Sequence, residues 1–151
     1  MLILAFLLGT VAGLRTFTAP AAVAWAAVTG RLALSSTPLA VLGLPVTAWI
    51  LAGLAALELV GDKLPKTPSR KSPGPFVARV VSGALCGAAV GWPGGQEAAG
   101  ALAGALGAVL GTLGGYAARM RLARRFGRDL PAALLEDVVA LGVAGLILLA
   151  L

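Results

Sequence analysis

Lys63-Leu-Pro-Lys-Thr-Pro-Ser-Arg-Lys-Ser-Pro-Gly-Pro75 and Arg119-Met-Arg-Leu-Ala-Arg-Arg-Phe-Gly-Arg128 are the stretches that decide the fold of this 151-residue chain. With Arg79 just beyond the first, they hold ten of its twelve basic residues. The sequence around them is almost entirely apolar, with 59% hydrophobic residues and a mean hydropathy of +0.96. A soluble domain carries about 25% charged residues. Here the figure is 12%, too little polar surface to coat a globule in water. Apolar segments separated by basic stretches are the pattern of an all-α integral membrane protein whose basic loops face the cytoplasm.

The net charge of +6 invites a nucleic-acid reading, but aromatic residues make up only 5% of the chain. The basic residues also flank apolar segments, so anionic lipid head groups are the expected partners and nucleic acid is not. The chain has no histidine, which removes the commonest general base and transition-metal ligand. Cys86 is the lone cysteine, so no internal disulfide forms. No cofactor is expected. The N-terminus is apolar from Met1 and lacks a basic n-region, so a retained first helix is expected. The small-residue run 22–27 keeps signal cleavage as an alternative.

Five spans are expected, at 2–28, 38–60, 76–92, 98–118 and 131–151, each near the roughly 20 residues that cross a bilayer as a helix. The loops 63–75 and 119–130 then share one side, while 31–37 and 93–97 carry one Arg and one Glu. This asymmetry places the N-terminus in the cytoplasm and the C-terminus outside the inner membrane. The first segment is interrupted by Arg15-Thr-Phe-Thr-Ala-Pro20, so it is one broken helix or a re-entrant pair.

Two glycine stripes mark the third and fourth segments. Gly83, Gly87 and Gly91 recur every fourth residue. Gly100, Gly104, Gly107, Gly111 and Gly114 fall within an arc of about 80° at 3.6 residues per turn. Small residues on one face let helix backbones approach closely, and Pro93-Gly-Gly95 makes a turn between the two segments. The stripes serve either a tight hairpin within the chain or the seam of a homo-oligomer.

Ionisable residues inside apolar segments need an explanation. A single helix over 2–28 would bury Arg15 at a cost of about 3 kcal/mol. Thr16, Thr18 and Pro20 suit a helix break that lines a cavity, with Arg15 meeting an anion or an intramembrane carboxylate. The alternative is a short re-entrant hairpin from which Arg15 snorkels to an interface. Glu136 and Asp137 precede only fourteen residues, too few to span, so they lie at or below the surface. Carboxylates near the start of the fifth helix also suit its dipole. Glu58 and Arg79 fall at similar depth, which predicts one polar cluster of Glu58, Arg79, Glu136 and Asp137, with Asp62 and Lys63 at its rim. No catalytic constellation emerges. A hard cation is chemically compatible with these carboxylates, though nothing in their spacing requires one.

Gly13-Leu-Arg-Thr-Phe-Thr-Ala-Pro20, Glu58-Leu-Val-Gly-Asp-Lys-Leu-Pro65 and Arg79-Val-Val-Ser-Gly-Ala84 resemble a family of small bacterial membrane proteins, catalogued as domain of unknown function 4126. The likeness covers most of the chain. It implies a multi-pass inner-membrane protein and singles out Arg15, Glu58, Asp62, Lys63 and Arg79, without bringing an activity. The leading expectation is a transporter or channel-like protein for a small anionic or ionic solute. The alternative is a non-catalytic scaffold or lipid-binding protein. A third is an enzyme on a lipid phosphate, with Lys63, Arg70 and Arg79 as clamps and Asp62 as base.

Overall fold

Apolar runs bounded by proline and glycine produce six helices in a computed structural model that describes residues 1–62 and 72–151. They are α1 (Leu2–Leu14), α2 (Thr18–Val28), α3 (Pro45–Gly61), α4 (Pro73–Gly91), α5 (Glu97–Phe126) and α6 (Asp129–Ala150). Short 3-10 turns at Ala40–Gly43 and Trp92–Gly94 join them, and the described residues contain no strand. Three stretches are long and apolar enough to cross a membrane: Pro73–Gly94, Glu97–Phe126 and Asp129–Ala150. At 1.5 Å per residue, α1 and α2 are only about 20 and 17 Å long, short of a hydrocarbon core of about 30 Å. The five expected spans are therefore three span-length stretches and three shorter helices.

The first segment is a hairpin rather than one interrupted span. At Arg15 the backbone turns extended, with φ −140° and ψ 114°, and α2 starts three residues later. α1 runs in the same direction as α5, with Gly9 against Gly104 and Gly13 against Ala108 and Gly111. Over 15–31 the chain follows α6 in its direction, from the ion pair Arg15–Asp137 to Arg31 Nη1, which donates to Leu149 O at 3.1 Å. Because α5 and α6 are antiparallel neighbours across Gly127, α1 and α2 are antiparallel too. Both termini consequently lie at one end of the bundle, with residues 29–44 and 92–96. This differs from the expected termini on opposite sides, because an odd number of crossings required α1 and α2 to continue as one span.

Two further boundaries differ from the sequence reading. The second span was expected from residue 38, but 38–44 form turns and α3 begins at Pro45, whose fixed φ suits a first helical position. The stretch 119–130 was expected to be a loop, yet α5 continues to Phe126 and stops at Gly127, where φ is +65°. Arg, Met, Leu and Ala are good helix formers. The arginine charges therefore do not end the helix.

Glycine shapes the contact among α1, α4 and α5. Gly83 and Gly87 of α4 meet Gly104 and Gly100 of α5, while Gly91 meets the backbone of Gln96. Gly107 and Gly111 meet the backbone of Phe6, Gly9 and Thr10 in α1. The alternation of four- and three-residue steps thus lets α5 serve two helices at once. Gly114 does not take part: a Cβ there would have nothing within 4 Å. One residue on, Gly115 faces Leu14 and Glu136 instead. These interfaces are filled inside the chain, so any homo-oligomer must form through another face.

Candidate functional site

Breaking a helix leaves carbonyls at the end of one piece and amides at the start of the next without partners. At the tip of the α1–α2 hairpin, side chains from three other helices supply them. Arg79 on α4 donates from Nη1 to Gly13 O at 2.9 Å and Leu14 O at 3.3 Å. Thr112 Oγ1 on α5 donates to Gly13 O at 3.1 Å, and Ser82 Oγ to Thr16 O at 2.6 Å. The Glu58 carboxylate at the end of α3 accepts from the amides of Thr16, at 2.7 Å, and Phe17, at 2.9 Å. A cation thus sits on the negative end of α1 and an anion on the positive end of α2, as their dipoles favour. Arg79 Nη2 and Glu58 Oε1 are themselves 3.6 Å apart.

Arg15 itself points into the bundle and is wholly buried. Its guanidinium forms ion pairs with Asp62, just past α3, and with Asp137 on α6. Arg119 closes the network from α5. Its Nη1 lies 4.0 Å from Asp62 and 3.8 Å from Glu136. The same guanidinium forks onto Asp129, with bonds of 2.9 and 2.5 Å. The tip therefore gathers five of the six carboxylates in the sequence, and the sixth, Glu97, begins α5 at the other end. Buried pairs of this kind return little net stability, but losing one partner strands a charge in a medium that solvates it poorly.

Depth follows from the register. Arg79 lies six residues after the start of α4, and Arg119 seven before the end of α5. The tip is thus about 10 Å inside that end of the bundle. A cavity of about 140 Å³, bounded by Leu14, Gly115, Arg119, Leu135 and Glu136, opens beside it.

The deep site expected at Arg15 and the polar cluster expected at the membrane surface are one network, since the hairpin carries Arg15 to the others. Thr16 contributes its backbone amide and carbonyl. Thr18 is buried at the start of α2, its hydroxyl lacks a hydrogen-bond partner among the described residues, and it borders an apolar groove between α2, α3 and α6. Lys63 lies outside the described residues, as do Lys66, Arg70 and Lys71. Asp62, expected as a base in the phosphate-enzyme reading, is engaged by Arg15. No group of three or more His, Cys, Asp or Glu side chains among the described residues is arranged to hold a metal ion.

Sequence reasoning missed Arg119, Asp129, Ser82 and Thr112. For Arg119 a signal existed: it continues the inward-facing stripe Gly104, Ala108, Gly111 and Gly115 by one more four-residue step. At 100° per residue it points about 160° away from Arg121. Comparison with known proteins finds no matching family model, no matching curated protein and no matching solved structure.

Proposed function

We propose that this chain is a membrane protein of transporter or channel-like type, which passes a small ion past a gate formed by Arg15, Asp62 and Asp137. The observation that carries this reading is Arg15, buried between two carboxylates at the tip of a hairpin whose helices are each too short to span. Buried ionisable groups on discontinuous helices are functional-site candidates in membrane proteins. An ion crossing here must loosen one of the two Arg15 pairs, either by competing for the guanidinium or by replacing it on a carboxylate. Arg15, Glu58, Asp62 and Arg79, singled out by the resemblance to the uncharacterised family, are all at this tip.

The test is ion flux in vesicles of defined lipid containing the purified protein. R15Q should reduce flux at least tenfold, whereas R31Q, at the opposite end of the bundle, should leave it near wild type. Absence of flux for every small ion tried with the wild-type protein sinks the transport reading. A second reading, a scaffold, draws on the structural role of the network: Arg15, Glu58 and Arg79 each hold a partner at the hairpin tip, and Gly83, Gly87, Gly104 and Gly107 pack against neighbouring helices within the chain. It expects no flux and a protein whose only response to R15Q is a lower melting temperature.

A further inference from the structure

The arginines that continue α5 beyond its buried part present a different face from Arg119. Taking 100° per residue, Arg121, Arg124 and Arg125 fall within an arc of about 100°. All three are exposed, as is Arg128 in the turn that follows. None of the four takes part in an ion pair among the described residues. Nor can residues 63–71 supply one, since they contain no Asp or Glu. Of the six carboxylates in the sequence, five are at the hairpin tip and Glu97 is at the far end of α5. The charge of this face is therefore not neutralised by a carboxylate of the chain.

We infer that Arg121, Arg124 and Arg125 form a binding site for the phosphate of anionic phospholipid head groups. Position argues for lipid. From Glu97 to Ala118, α5 is about 33 Å long, close to the thickness of a hydrocarbon core, which brings Arg121 to head-group level. The three arginines border an open recess of about 550 Å³ together with Ala118 and Leu122, room for a head group beside apolar surface. Met120, exposed beside Arg121, suits the acyl boundary. Guanidinium forks match phosphate oxygens in pairs, which lysine does not. This site is independent of whether the hairpin tip passes ions.

The test uses the full-length protein purified in a neutral detergent, with lipid adducts counted by native mass spectrometry as phosphatidylglycerol or phosphatidylcholine is added. Each arginine near an anionic surface contributes about a factor of five. R121Q/R124Q/R125Q should therefore weaken phosphatidylglycerol binding about a hundredfold while the melting temperature stays at the wild-type value. The lysine version, R121K/R124K/R125K, should keep the preference for anionic lipid but lose part of the affinity. Equal binding of the two lipids by the wild-type protein overturns the proposal. So does undiminished phosphatidylglycerol binding by the triple glutamine variant. Competition by inorganic phosphate at equal concentration would assign the face to free anions and overturn the lipid site as well.

Discussion

The outer half of the bundle and the hairpin tip hold the same helices together by opposite means. Where α1, α4 and α5 meet through Gly9, Gly83, Gly87, Gly104 and Gly107, the contact is one of shape, backbone against backbone with only the Ala108 methyl beside Gly83. At the tip, about two turns from the other end, long charged side chains bridge five helices and reach backbone groups that the chain break leaves exposed. The first kind of contact tolerates no added volume. The second tolerates no lost charge. A membrane favours both, because helices there gain little from the hydrophobic effect and must rely on close packing and on polar groups that find partners.

The strongest way to break the comparison is at Arg15. R15Q leaves Asp62 and Asp137 facing each other without their shared cation, and should destabilise the protein by about 3–5 kcal/mol, read as thermal unfolding in detergent. R15Q/D137N should recover a substantial part of that loss, since the second change removes one of the two carboxylates that Arg15 neutralises. A double variant no more stable than R15Q would show that Arg15 acts through volume, as the glycines do.

Next comes the packed half, where two glycines of one helix predict opposite outcomes. At Gly104 a methyl group would run into the backbone at Gly83, so G104A should cost about 1–3 kcal/mol. Gly114 has open space around its missing Cβ, so G114A should stabilise by up to about 1 kcal/mol through helix propensity alone. Equal effects at the two positions would mean that α5 does not pack as described.

E58Q keeps the shape of the group that accepts from Thr16 and Phe17 but removes its charge. It should cost about 1–3 kcal/mol, because glutamine offers one acceptor oxygen for the two amides and its NH2 leaves the other N–H without a partner. Amide exchange at Thr16 and Phe17 should quicken in E58Q and stay unchanged in G114A. The smallest effect belongs to the outward arginines. R124Q should change stability by less than about 0.5 kcal/mol, because nothing in the chain depends on that charge.

Much of this was legible in residue types. The helical class, the hairpin of α4 and α5, the glycine faces and the list of buried charges all follow from apolar runs, four-residue spacings and ionisable groups placed where lipid would penalise them. Gly114 lies at the edge of the 80° arc and meets no other helix of the chain, and Gly115 takes the facing position instead. Arg119 was read with its basic neighbours, since adjacency in sequence hides that it faces the opposite way.

What the sequence determined by itself is therefore local: which stretches are apolar, where proline and glycine interrupt them, and which charges cannot be left in lipid unpaired. The tertiary structure alone decided that Arg15 marks a reversal and that α1 and α2 lie antiparallel. It alone decided that Asp62, Arg119 and Asp137 meet at the turn. The reason is that a broken apolar segment has two compatible continuations, onward or back. The choice rests on whether other helices can satisfy the freed backbone groups, and Glu58 from α3 and Arg79 from α4 do so only when the chain turns back.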